Sequence, residues 1–581
     1  MTLLDYYTEL YIHLFHKAVH SEVEVSIRDI SVLLVCSERY TKTVLRELET
    51  KKWISWKPGS GRGHKSKMSF NQSLNVLVPP ILLKAIKTDH LEKVILFSKS
   101  HDLPEKLAKN CQALIKQQFG FLTEREDKLF LDVLRVPIAR PLVTLDPAHA
   151  VGATEASLIH QIYEPLVLYN SKNRNFEPNI AHAWETSQDS KKWIFYLRKD
   201  VKFHHGKELT AGDVVYTFQR LSTSKSQLSC FWYLKSLVSV KAVNRYTVQL
   251  IFSETKTHLL HFIATIPLAI LPSDVGFDSS NISGSGPFRV CSYDQNHLLL
   301  ERFSNYFKER ALLDKVEIYF TRSANHSRRD YVISGKFSEE NFESHENGFR
   351  YLVFNQRKEG IQRNLYFREA FSAVIDRQKL VDDLGGDRYL PENRILIGSR
   401  QEHLNGSVGF EQVLGYLRKS GYHGEDLTLL CYRRDDAEWI KKRAQIVGIN
   451  LKINCVSLSV LDEPSVLQQA DILFGGEILE NDLTFSLVNF FMKPHSISEL
   501  FLNDDQNIYI KNVIKHFLVS DGLSSLRCFK KIEQYLIRNH LFCHLYNVRK
   551  KQLFQSVVSG INFDEYGWAD FSKLWIKPES Q

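Results

Sequence analysis

The sequence predicts a multidomain protein in which a small, mainly helical unit with a β-hairpin precedes a much larger α/β unit. Three observations carry that expectation. The chain has 581 residues, more than a single hydrophobic core organises, so two or three folding units are expected. Positive charge gathers at the front: of a formal net charge of +8, about +6 falls in residues 1–120. Beyond residue 128 the pattern changes from short amphipathic helices to strands alternating with helices. No stretch reaches membrane-span length, since the apolar run 263–271 is short and polar residues or proline bound it. A membrane is therefore not an expected partner. The eight cysteines include no CxxC pair and read as reduced, mostly buried thiols, with no metal expected.

The first element is a helix over 3–18, because Leu3, Leu4, Tyr7, Leu10, Tyr11, Leu14 and Phe15 share one face. A shorter helix over 25–34 is expected around Ile27, Ile30 and Leu34. Cys36 and Ser37 then turn a corner, and Ser37 can cap a third helix over 38–51 that buries Val44, Leu45 and Leu48. That is helix-turn-helix spacing. The third helix would offer Arg39, Tyr40, Lys42, Thr43 and Arg46 to base edges and phosphates of a major groove.

Strands follow at 53–56 and 65–70, around a glycine-rich turn over 58–63. This is the pattern of a wing. The block 51–67 holds Lys51, Lys52, Lys57, Arg62, Lys65 and Lys67 with no acid, a footprint for phosphate backbones. Arg62, His64, Lys65 and Lys67 are the candidate contacts of the wing. The run GSGRGHKS nearly fits the phosphate-loop pattern, but His64 stands where its last glycine is required, and KMSFNQ reads as a strand rather than a helix start. Nucleotide hydrolysis is not expected there. Residues 1–75 thus read as a winged helix-turn-helix unit with double-stranded DNA as its partner. Residues 76–127 read as a helical connector that Pro79, Pro80 and Pro104 break into helices over 81–87, 90–99 and 105–118. Residues 128–581 read as a ligand-sensing domain opening with a strand over 129–135 and a helix near 155–162.

In that domain, several motifs occur in one order: Leu145, Asp146 and Pro147; Ile162, Tyr163, Glu164 and Leu166; PNIAHAW at 178–184; and WIFYLRKDVKFHHGKELTAGDVVYTFQRL at 193–221. GSGPFRV at 284–290, NYFKERALLDKVEIYF at 305–320, YLVFNQ at 351–356 and FREAFSAVIDRQKL at 367–380 continue the series. The set resembles the family 5 solute-binding proteins of bacterial peptide importers, with His182 and Ala183 as departures. The resemblance implies a two-lobed α/β fold of the type II periplasmic-binding-protein kind, closing on a small molecule. In such relatives a DYPD-like segment sets an acid against the ligand's amine. The matching stretch here, GGEILENDLTF at 475–485, puts Glu480 at the acid position with Asp482 nearby, and Tyr163 and Glu164 are the other candidate cleft residues.

Taken with ISVLLVCSERYTKTVLRELE, WISW, GRGHKSK and the terminal YGWADFSKLW, the whole chain is similar to the SgrR family of bacterial transcriptional regulators. That similarity implies a regulator in the cytoplasm that activates a small-RNA gene under sugar-phosphate stress and represses its own gene. A phosphosugar dianion would call for Arg or Lys in the cleft, with Arg198 and Arg289 as candidates. The alternative, a binding component of a peptide importer, fits poorly with MTLLDYYTELYIHLF, where Asp5, Glu9 and His13 interrupt the apolar run of an export signal. An enzyme is not expected, nor a cofactor. His204 and His205 lie in a family turn, the pairs His13/His16 and His258/His261 lack an acidic third ligand, and no GxSxG elbow occurs.

Overall fold

In the computed structural model, the described residues are 2–15, 22–59, 65–87, 91–126, 129–138, 140–150, 152–223, 231–320, 339–391, 409–461, 463–519 and 525–577. The front folds as α1 (Leu3–Leu14), β1 (Glu22–Val25), α2 (Ile27–Leu33), α3 (Glu38–Thr50), β2 (Ile54–Lys57) and β3 (Ser66–Phe70). Thr2 and Asp5 close a capping box on α1, with the Asp5 N–H donating to Thr2 Oγ1 at 3.3 Å. The helix expected from residue 25 starts two residues later. Glu22–Val25 is a strand because its valines face inward and its glutamates outward, and it pairs antiparallel with β3. The Ser26–Asp29 capping box then sets the first turn of α2, the Asp29 N–H donating to Ser26 Oγ at 3.1 Å.

β3 lies between β1 and β2 in a three-stranded sheet. Leu4, Tyr7 and Leu10 of α1 pack with Ile30, Val44, Leu45, Leu48, Ile54 and Met68 to form the core beneath it. That core does not end with the hairpin. Three further helices, α4 (Leu74–Lys87), α5 (Leu91–Ser100) and α6 (Glu105–Lys116), contribute Leu77, Val78, Leu82, Val94, Phe97, Leu107 and Cys111 to it. The expected break at Pro79 and Pro80 does not occur, and both sit inside α4. Each removes one helical hydrogen bond, but the buried face of Leu74, Leu77, Val78 and Leu82 holds the helix in place.

A second departure follows α6. Gly120–Glu126, expected within a helical connector, is the strand β4, paired antiparallel with β5 (Leu129–Ile138). Pairing with the neighbouring strand, and the burial of Phe121 against it, outweigh helix propensity there. β4 is the edge of a five-stranded sheet that continues through β5, Lys315–Phe320, His297–Arg302 and Phe288–Tyr293. Helix α7 (Ala153–Ile162) packs on this sheet, and residues 554–574 return to the same core. A four-stranded antiparallel sheet over 181–252 completes the first lobe.

The second lobe is a larger mixed sheet in which Asp426–Cys431 runs parallel to Asn450–Cys455 and Ile472–Ile478. Helices Leu365–Val374, Arg377–Leu384 and Arg434–Ile446 cover it. The long strand Phe542–Gln555 crosses between lobes: its start pairs with Gly348–Phe354, its end with Glu339–His345. Among the described residues, no helix is long and apolar enough to cross a membrane.

Candidate DNA-contact face and inter-lobe cleft

Ser37 caps α3 by accepting the Tyr40 N–H at 3.3 Å. Thr41, Val44, Leu45 and Leu48 bury one face, which turns the other outward: Arg39, Tyr40, Lys42, Thr43 and Arg46 are all exposed. Arg39, Lys42, Thr43 and Arg46 lie at steps of three and four, hence on one stripe. Tyr40 flanks them, its ring packed edge-on to Tyr6 at 6.1 Å. The helix is fixed from behind by Glu49, which accepts the Trp56 N–H of β2 at 3.1 Å. The corner before α3 is tight enough to place Val35 at a φ of +50°.

Of the wing candidates, Lys65 and Lys67 are exposed, and Arg62 and His64 lie outside the described residues. Lys67 is shared with β1, its ammonium 3.8 Å from Glu22 and 4.0 Å from Glu24. Lys57 pairs with Glu22 more closely, at 2.8 Å. Exposed pairs of this kind are weak because solvent and salt screen them, so phosphates can displace them.

The lobes touch each other along a continuous seam. Phe485 of the second lobe packs on Tyr233, His261 and Phe262 of the first, and the Trp232 indole donates to Asn489 at 3.1 Å. Asp482 is the N-cap of helix Leu483–Met492, accepting the Phe485 N–H at 3.1 Å, and its other oxygen meets His261 Nδ1. Glu480 is partly exposed and its N–H donates to Ser486 at 3.0 Å. Its carboxyl faces His160 at the end of α7 and the acids Glu565 and Asp482. Burial, reinforced by Glu565 and Asp482, pushes the Glu480 carboxyl up to about 8. Burial also works against charge on His160, yet Glu565, 3.5 Å away, outweighs it and raises the imidazole to about 9. Asp564 rises to about 6 through burial and the neighbouring Glu565.

The turn carrying those acids is held by the crossing strands. Lys550 donates to the Tyr566 carbonyl at 2.6 Å and pairs with Glu346 at 3.2 Å, while Gln552 and Ser344 both donate to the Gly567 carbonyl. A buried chain of donors therefore links the hinge to the cleft wall.

Two family profiles match the chain in sequence. One, described as bacterial extracellular solute-binding proteins, family 5 Middle, spans residues 175–478, over half of the protein. The chain belongs to family 5. Ahead of the family 5 module, a profile described as sugar transport-related sRNA regulator N-term matches residues 7–121, and this pairing of domains fits the SgrR family. The Bacillus subtilis (strain 168) protein YhjP is 29% identical over 95% of this chain and 96% of its own length. The HTH-type transcriptional regulator SgrR of Photorhabdus laumondii is 24% identical over 98% of each. Among solved structures, the oligopeptide-binding protein AppA of B. subtilis, in complex with a nonapeptide, matches with a TM-score of 0.63 at 18% identity. It covers 77% of this chain and 99% of its own. At 18% identity the ABC transporter-associated periplasmic binding protein DppA of Helicobacter pylori, in complex with peptide STSA, matches at a TM-score of 0.64, over 77% and 98%. These likenesses establish the family 5 fold.

Within that fold Glu480 and Asp482 act on each other, whereas Tyr163 and Glu164 have neighbours of their own. Tyr163 is buried and its hydroxyl has no hydrogen-bond partner among the described residues. Glu164 is fully engaged: Asn179 donates at 2.7 Å, Lys308 lies at 2.8 Å and the Tyr306 hydroxyl donates as well. Arg198 is committed to the Asn179 carbonyl at 2.7 Å and Arg289 to Glu301 at 2.7 Å. His160, Glu565 and Tyr566, which sequence reasoning did not assign to the cleft, complete the surroundings of Glu480. No local pattern could find them, because about 400 residues separate His160 from Glu565. Among the described residues no group of three or more His, Cys, Asp or Glu is arranged to hold a metal.

Proposed function

We propose that the chain is a DNA-binding transcriptional regulator whose family 5 module senses a small molecule. The observation that carries this reading is the outward stripe of α3, with Arg39, Lys42, Thr43 and Arg46 unburied beside a basic hairpin. Those side-chain types, on a helix braced by its own core, suit a major groove, and Lys65 and Lys67 suit the flanking phosphates. Relatives named as HTH-type transcriptional regulators across 98% of the chain support it. An importer's binding component has no use for such a head.

The finer reading is that the regulator responds to sugar-phosphate stress, activates a small-RNA gene and represses its own. Its ligand would then carry a phosphate that has to bind away from Glu480, since that wall of the cleft is acidic. Tyr163, whose buried hydroxyl has no hydrogen-bond partner among the described residues, is a further candidate contact. Footprinting of purified protein on its own promoter, with and without glucose 6-phosphate, tests both levels. Protection of a discrete site supports regulation, and a ligand-dependent change in protection supports the finer reading. Uniform, sequence-indifferent binding would remove the first.

A further inference from the structure

We propose that the second lobe carries an oxyanion subsite, built from Arg350 and the Tyr432 hydroxyl, that takes the anionic group of a phosphorylated small molecule. The inference rests on reading the family 5 module as a small-molecule sensor, and it goes further by placing one end of the ligand. Arg350 lies on the strand Gly348–Phe354 and is 7% exposed. Its Nη2 donates to Glu346 at 2.8 Å and its Nη1 to the Phe349 carbonyl at 3.4 Å. Its Nε has no hydrogen-bond partner among the described residues. Tyr432 directly follows the strand Asp426–Cys431, which flanks Ile472–Ile478 on the side opposite Gly348–Phe354. The two side chains meet over Gly476 of that middle strand. A Cβ at Gly476 would lie 2.7 Å from the Tyr432 hydroxyl oxygen and from Arg350 Cδ, and 3.0 Å from Arg350 Nε. Two donors from separate strands therefore converge over one bare stretch of backbone.

The charge around them does not balance. Arg388 is matched by Asp436 at 2.7 Å and Arg433 by Asp387 at 2.6 Å. Arg350 and Lys550 instead share the single carboxylate of Glu346, at 2.8 and 3.2 Å, and all three residues are more than nine-tenths buried. Arg433 adds to the excess, since its guanidinium repels that of Arg350. A buried cation without a counter-charge of its own is costly, because water no longer solvates it. An anion brought in by a ligand removes that cost and accepts from both donors, with Arg350 supplying the charge-assisted bond. The place suits a ligand as well. Asp426–Cys431 and Ile472–Ile478 run parallel, and open α/β sheets take small molecules at the carboxyl ends of such strands. Tyr432 and Gly476 are partly exposed there, which gives the subsite an entrance. Phosphate and carboxylate share this chemistry, so the test has an arm for each.

The experiment is calorimetric titration of the full-length protein, at constant ionic strength, with inorganic phosphate, glucose 6-phosphate, acetate and glucose. Phosphate and glucose 6-phosphate are expected to bind, and glucose is not. Tyr432→Phe removes one donor and no charge, and should weaken both anions about tenfold. At its partly exposed position it should melt like wild type when no anion is present. Gly476→Ala keeps every charge but drives the two donors apart, and should weaken both anions at least as much. Wild-type protein that binds neither phosphate nor glucose 6-phosphate overturns the proposal, as do two variants that bind them as wild type does. Acetate held more tightly than phosphate overturns the phosphorylated class. Protein that still protects its promoter while ignoring phosphate loses this subsite and leaves the regulator reading in place.

Discussion

Arg39, Lys42, Thr43 and Arg46 reach outward for the same reason that Val44, Leu45 and Leu48 do not: one helix, two faces, one of them buried. This much is legible from spacing alone, because a recognition helix is a local pattern. If Arg46 reads a base edge, Arg46→Ala should cost about 1–3 kcal/mol at its site and relax discrimination there, measured by competition between promoter and scrambled duplexes. Lys65→Ala should instead weaken all duplexes alike and lower the salt slope by about 1. Equal effects of the two on every duplex would remove the division of labour. Val35 supplies a prediction about stability. It is β-branched, 90% exposed and held at a φ of +50°, a conformation that strains such residues by roughly 1 kcal/mol and suits glycine. Val35→Gly is expected to increase hydrogen-exchange protection of α2 and α3 by that amount. Glu164 marks the limit of residue-level reading, since its three donors, Asn179, Tyr306 and Lys308, come from places the sequence does not connect.

At the scale of elements, what the sequence hides is pairing. Glu22–Val25 is four residues long, and alternation over so short a run does not separate a strand from a helix start. Its identity comes from β3, more than forty residues away. β4 is the same case: its composition suits a polar helix, and only β5 makes it a strand. The docking of α5 on α1 is another contact beyond sequence reach. His101 has 2% of its side chain exposed and lies 3.0 Å from Asp5 and 2.6 Å from Glu9. Burial opposes its charge, but the hydrogen bonds it donates to both acids win and raise its pKa. A raised imidazole contributes stability below its unfolded value of about 6.5 and loses it as pH climbs past the folded value. Protection of α1 amides, corrected for intrinsic exchange, should therefore decline in the alkaline direction, and His101→Gln should flatten that decline. An unchanged profile in the variant would assign the dependence elsewhere.

For the whole molecule, the family 5 motifs made the two-lobed architecture readable, while the meeting of lobes at Glu480 was not, since it depends on closure rather than on any segment. The shared core also bears on how the protein can be divided. A fragment starting at residue 76 keeps α4–α6 but strips them of α1 and α3, exposing Leu77, Val78, Phe97 and Leu107. A fragment starting at Gly120 retains β4 and the whole first-lobe sheet. The second is expected to be monodisperse with a cooperative melt and the first to aggregate, as size-exclusion chromatography will tell. With the second in hand, a ligand at a hundred times its Kd should add about 2.7 kcal/mol of stability. The last consequence concerns β4 itself. Leu91 and Ile95 of α5 pack with Phe119 and Tyr319, so α6 passes into the sensor sheet through a short, braced joint. The reading head therefore has no tether on which to swivel. It rides with the first lobe as a handle rides with one jaw of a pair of tongs, and only the other jaw is left to carry the message.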